Sequence, residues 1–196
     1  MLEAFAYHTV LSAKAKIRAT SAGTPHFTLE PQPPHVCTHA VIFLPGICGR
    51  AHGSWRDRVE NDWAPKSPTV RWIVRTPPKQ RVSGLPKQFG RVPAHYDIHS
   101  SDFFGTQDVA GIERALERVA ELVRVQVEDR GLAPQNVLLG GYSQGGSLAL
   151  AYALAVRAER HGAPSTLPRS FGSDGGAAGD SMRRESGAYF SLFHVD

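Results

Sequence analysis

Hydrophobic residues along this 196-residue chain fall into a few regular runs, separated by stretches rich in glycine and proline. Ala40-Val41-Ile42-Phe43-Leu44 is continuously apolar, the pattern of a strand covered on both faces in a parallel sheet. Val70-Arg71-Trp72-Ile73-Val74 predicts a second strand, closed by Pro77-Pro78. From Asp108 to Arg130, Val109, Ile112, Leu116, Val119, Val123 and Val127 recur at helical spacing, with Arg114–Glu117 and Glu121–Arg124 supporting the exposed face. Gly131 and Pro134 stop that helix. Asn136 to Gly140 predicts a third strand, and Ser147 to about Arg160 a second helix ended by Gly162. Strand, helix, strand, helix in this order predicts an α/β fold with a right-handed parallel sheet. Thr24–Pro34 and Lys79–Asp102, both punctuated by prolines, read as loops. Ala163–Gly187 has only Leu167, Phe171 and Met182 as large apolar residues and cannot offset its ordering entropy; Ala188–Val195 reads as a short strand.

Between the third strand and the second helix stands Gly140-Gly141-Tyr142-Ser143-Gln144-Gly145-Gly146. Gly141, Ser143 and Gly145 fit G-x-S-x-G, the nucleophile elbow of α/β-hydrolases. A serine on a sharp strand-to-helix turn adopts a strained backbone and brings strand and helix close. Only residues without a Cβ leave room two positions either side. A glycine-rich turn inside an ordinary βα unit would show the same triplet. The apolar strand before it and the helical run after it favour the elbow.

Composition narrows the rest. A hydrophobic content of 41% and a charged content of 20% are globular values, and the length suits one domain. The net charge of +4 is scattered among acids, so nothing predicts a nucleic-acid face. Cys37 and Cys48 make no disulfide framework and fit a reducing, cytoplasmic setting. No apolar run reaches the length of a transmembrane segment. Met1–Gly23, with Glu3 against Lys14, Lys16 and Arg18, is compatible with an organellar transit segment, although a plain disordered or edge-strand terminus fits it better. His35, Cys37 and His39 share one face of an extended segment, but same-face neighbours lie ~6.6 Å apart, too far for three to hold one ion at ~2.0–2.3 Å. No metal and no cofactor are predicted.

From about His39 to Leu154 the chain resembles the phospholipase/carboxylesterase family that contains the acyl-protein thioesterases. Val41-Ile42-Phe43-Leu44-Pro45-Gly46-Ile47 is similar to that family's strand and oxyanion loop, and His52-Gly53 with Trp55 continues it. Tyr96-Asp97-Ile98 is similar to its S-W-[FY]-D segment, and Asn136 to Gly146 to its L-G-G-F-S-Q-G-G strand and elbow. The chain departs where the loop histidine is Pro45, the loop's second glycine is Cys48 and the tryptophan before Tyr96 is His95. Nothing after Leu154 matches the family's later strands, which carry the triad acid and histidine. The resemblance therefore implies an α/β-hydrolase-like parallel sheet with flanking helices, whose C-terminal part is missing. It divides the chain into an N-terminal extension (1–38), a core (39–162) and a low-complexity, disordered tail (163–196).

A serine needs a base within hydrogen-bond reach, itself oriented by an acid. Ser143, Asp174 or Asp180, and His194 satisfy the order Ser–acid–His, but the intervals leave no room for the intervening elements, so His194 and Asp174 are a nominal base and acid only. His52 and His95, in the mouth loops, are the other candidate bases, and a solvated loop histidine is the plainer reading of each. The elbow assigns one oxyanion donor to the backbone N–H of Gln144. The resemblance assigns the other to Ile47. Two readings follow. One is a serine hydrolase cleaving acyl esters or thioesters, lipidated protein among the candidate substrates, through an acyl-Ser143 intermediate. The other is a shortened, non-catalytic relative that binds acyl ligands or partners and is exposed to aggregation at an open sheet edge.

Overall fold

The structure, a computed structural model, describes residues 26–99, 107–160 and 190–194. Its centre is a five-stranded sheet: β1 (His26–Leu29), β2 (His39–Leu44), β3 (Val70–Arg75), β6 (Val137–Tyr142) and β7 (Phe190–His194), in the order β1-β3-β2-β6-β7. β2 pairs parallel with both β3 and β6, whereas β1 and β7 pair antiparallel at the two edges. A two-stranded ribbon, β4 (Lys79–Arg81) with β5 (Arg91–Pro93), stands beside it. The helices are α1 (Ser54–Arg58), α2 (Val109–Arg124) and α3 (Gln144–Arg160). The result is an α/β architecture, with a parallel centre, antiparallel edges and helices on both faces of the sheet.

Strand alternation divides the core between the two faces. Ala40, Ile42 and Leu44 of β2 point to one face, where they meet Ala115, Val119 and Val123 of α2 and Leu148, Ala149 and Tyr152 of α3. Phe43 points to the other, among Phe27, Val59, Val74, Trp55 and Trp63. The Phe43 ring lies 4.6 Å from that of Trp55 and 5.3 Å from that of Trp63, both tilted. α1 and α2 thus cover opposite faces while the chain moves out to β3 and back past β2 to β6, so the two crossovers share one hand. Asp108 caps α2 by accepting from the Gly111 N–H at 2.9 Å, and Gly131 with φ 69 turns the chain out after that helix.

Three expectations need correction. His26–Leu29, read as part of a loop, is a strand: Phe27 is buried in the aromatic core, and Pro25 and Pro31 flank the pairing residues instead of interrupting them. The Lys79–Asp102 loop contains the β4–β5 ribbon. Its three-residue strands are too short to show a period, and only Val82, Val92 and Ala94 of the region are buried core. The edge of β6, expected to lie open, is paired along its length by β7, from Leu138↔His194 to Tyr142↔Phe190. Residues 1–25 and 163–187, with Asp174 and Asp180, lie outside the described residues.

Candidate functional site

β6 ends at Tyr142 and α3 begins at Gln144, leaving Ser143 alone on the turn with φ 52, a left-handed conformation rare for a residue with a Cβ. The flanking glycines are required by contact. A Cβ on Gly141 would overlap the Gly145 carbonyl carbon and lie 2.6 Å from its oxygen. One on Gly145 would overlap the Leu44 carbonyl oxygen and lie 2.6 Å from that of Pro45. The elbow is therefore pressed against the end of β2. Gly46, next along, comes so near that its Cβ would sit 3.1 Å from the Ser143 Cβ.

The chain leaving β2 makes a tight turn, in which the Gly49 N–H donates to the Gly46 carbonyl at 3.0 Å and Cys48 has φ 63. Cys48 N–H donates to Pro93 O at 2.8 Å, stitching the turn to the ribbon, and the Ile47 side chain packs on the Val82, Val92 and Ala94 cluster. Farther along, Ala51 N–H donates to the buried Thr76 hydroxyl at 2.8 Å, tying the loop to the end of β3. Among the described residues the Ile47 backbone N–H has no hydrogen-bond partner. Gln144 opens α3, where the first N–H groups have no intrahelical acceptor. The first backbone bond there is Ser147 N–H to Ser143 O at 3.0 Å.

Sequence reasoning missed how the side chains lock this arrangement. Gln144 is buried, with its amide oxygen accepting from His95 N–H at 2.9 Å and its amide nitrogen donating to Tyr96 O at 2.8 Å. His95, expected to be solvated, is 6% exposed; its Nε2 lies 3.0 Å from Pro45 O, and its own carbonyl accepts from Arg118 at 2.8 Å. A carbonyl can only accept, so Nε2 carries the proton. Burial, outweighing the bond to Pro45, lowers the His95 pKa to about 4, so the ring is neutral near pH 7. The single signal in the sequence was the departure from tryptophan at 95.

The other titratable groups are placed differently. Tyr96 is pushed upward by burial, against a hydrogen bond with Ser147. Burial opposes ionisation of Asp97, but bonds of 2.6 Å from the Ser83 N–H and hydroxyl outweigh it and hold the carboxyl below its ordinary range. His99 stands 3.5 Å from Asp97, and His52 is exposed on the loop after the turn. β7 does not bring His194 to Ser143. Its backbone is paired with Leu138, five residues before Ser143 and so ~16 Å down the strand. A base must lie within ~2.6–3.2 Å of the hydroxyl or reach it through one water. The antiparallel direction of β7 is the reason: it carries His194 to the end of the sheet away from the elbow.

A serine alone in a left-handed turn between a parallel strand and a helix, with a glycine loop from the neighbouring strand closed over it, defines the chain as α/β-hydrolase in type. The profile of the Phospholipase/Carboxylesterase family matches residues 27–165, and the chain belongs to that family. It is 30% identical over 138 residues to acyl-protein thioesterase 1 of Cryptococcus neoformans, covering 67% of this chain and 54% of that protein. It is 27% identical over 117 residues to acyl-protein thioesterase 1 homolog 1 of Dictyostelium discoideum, covering 59% and 50%. The fold is similar to that of Zea mays acyl-protein thioesterase 2, with a TM-score of 0.52 at 22% identity over 72% of this chain and 57% of that one. The chain spans about half the length of the curated relatives it matches.

Proposed function

We propose that the chain is a carboxylic ester or thioester hydrolase in which Ser143 takes the acyl group. The observation that carries this reading is the strained Ser143 turn under the Gly46 loop. Strain of ~1–3 kcal/mol persists only where the surroundings impose it, and here it holds the hydroxyl at a helix N-terminus. Ser143 Oγ attacks the acyl carbonyl carbon, the alcohol or thiol leaves, and water then hydrolyses the acyl-serine ester. The backbone N–H groups of Gln144 and Ile47 are the donors for the oxygen that gains charge, each worth ~2.7–4 kcal/mol when preorganised. The relatives' names favour acylated protein as substrate.

The register of β7 favours a qualified form of this reading. With His194 at the far end of β6, no described histidine is held at Ser143, and loss of the triad unit costs ~10⁶-fold in a serine protease while ~10³–10⁴ over water remains. Acylation of Ser143 by an activated ester, followed by slow turnover, is the behaviour expected of the described core. A hydrolase core at 39–162 and a cytoplasmic place belong to the same proposal, the latter supported by the free thiols of Cys37 and Cys48. No helix among the described residues is long and apolar enough to cross a membrane.

The test is hydrolysis of an activated acyl thioester by the purified chain beside Ser143→Ala. Acyl-dependent release of thiol, lost in the variant, is the expected outcome. Release that is unchanged in Ser143→Ala would remove the proposal. Turnover of ~1 s⁻¹ or more, lost in the variant, would restore a full triad supplied from outside the described residues.

A further inference from the structure

We infer that His95 is the positioning residue of the oxyanion site: its ring braces the turn that carries Ile47, and its backbone N–H braces Gln144. This rests on the acyl-Ser143 reading and extends it to a residue that no pattern in the chain assigns. The two donors come from separate elements, Ile47 from the turn after β2 and Gln144 from the start of α3. Nothing in the covalent chain between them, nearly a hundred residues long, sets their distance. His95 connects them through space. Its Nε2–H holds the Pro45 carbonyl at 3.0 Å, two residues before Ile47, while its backbone N–H holds the Gln144 amide oxygen at 2.9 Å. The Gln144 amide nitrogen closes the loop on Tyr96 O at 2.8 Å, and Arg118 anchors the His95 carbonyl at 2.8 Å.

Burial makes these bonds selective. His95 and Gln144 are 6% and 4% exposed, so water competes poorly for either, and a donor withdrawn from Pro45 would leave its carbonyl without that partner. Two features of the chain meet in this contact. One is the buried ring of His95 and the other is the carbonyl of Pro45, fifty residues away in the chain. His95 does not touch the reacting atoms. Its role is to hold the peptides that do, because a donor displaced by ~1 Å can cost ~10²-fold in rate.

The test compares His95→Met, which fills the site without an N–H donor, with His95→Gln, which keeps one. Each is first checked for a native melting transition. The readouts are the rate constant for acylation of Ser143 by p-nitrophenyl acetate and amide hydrogen exchange at Cys48 and Gly49, whose N–H groups hold the turn. The inference predicts that folded His95→Met acylates ~10²-fold more slowly at similar half-saturation, and that His95→Gln recovers most of the loss. It also predicts faster exchange of the turn amides in His95→Met alone. Folded His95→Met that acylates and exchanges like the parent would overturn it, as would equal loss in both variants. If the parent fails to acylate at Ser143, the hydrolase reading falls, and the brace is decided by amide exchange alone. Fast exchange confined to His95→Met would uphold it, and unchanged exchange would end it.

Discussion

Gly145→Ala sets two well-measured effects against each other at the centre of the elbow. Alanine is the better helix former by ~1 kcal/mol in a helix interior, so propensity alone says the variant gains stability. The new methyl, however, would overlap the Leu44 carbonyl oxygen, 2.5 Å from the carbonyl carbon of the same residue and 2.6 Å from the Pro45 carbonyl oxygen. These are backbone atoms of β2 and its exit, and no rotamer change moves them aside. Ordinary contact at ~3.5 Å requires α3 and β2 to separate by ~1 Å. Overpacking of this kind costs ~1–3 kcal/mol, with rigid backbone placing it at the upper end. The net effect is a destabilisation of roughly 2 kcal/mol, or ~4–8 °C in Tm for a chain of this size. Gln144 moves with α3, so acylation of Ser143 falls as well, by ~10²-fold. Thermal unfolding followed by circular dichroism reads the first quantity and p-nitrophenol release the second. A variant that melts above the parent, as propensity alone demands, would show that the elbow is not packed on β2.

Other predictions follow from the polar contacts. The His95 pKa of about 4, against an ordinary 6.5, makes its neutral form the one the fold accepts. The stability it allows is complete above pH 6.5 and is lost as pH falls from there through 4, by about 3 kcal/mol. Urea titrations across that window should show the parent losing this much more than His95→Met; equal losses would contradict the burial argument. Thr76→Val removes the acceptor of the buried Ala51 N–H and should cost ~1–3 kcal/mol by chemical denaturation, with Thr76→Ser close to the parent. Arg71 is buried between Glu30 and the Gln126 amide oxygen, at 2.8 and 3.0 Å. Arg71→Met should cost ~1–3 kcal/mol by stranding Gln126, and adding Gln126→Leu should return much of it.

The strands and helices that place the elbow were legible because each carries a period that burial enforces. Ala40–Leu44 is apolar throughout because it is the central parallel strand, and Val119 and Val123 recur because one face of α2 meets the sheet. Ser143 was legible because contact leaves no alternative to glycine at 141 and 145. What escaped was short or non-local. β1 and the ribbon have too few residues for a period to show. The antiparallel direction of β7 depends on pairing with β6 and leaves no trace in its own sequence, which is why His194 satisfied the order of a triad while its register opposes it. The bond from His95 to Pro45 spans fifty residues, and a histidine in a loop carries no mark of burial.

Intact-mass spectrometry after brief exposure to p-nitrophenyl acetate tests the central claim most directly. The account predicts one added acetyl group per chain, mapped to the peptide containing Ser143 and absent from Ser143→Ala. An unmodified Ser143 with the acetyl group on the exposed Cys48 thiol, or on no residue at all, would contradict it.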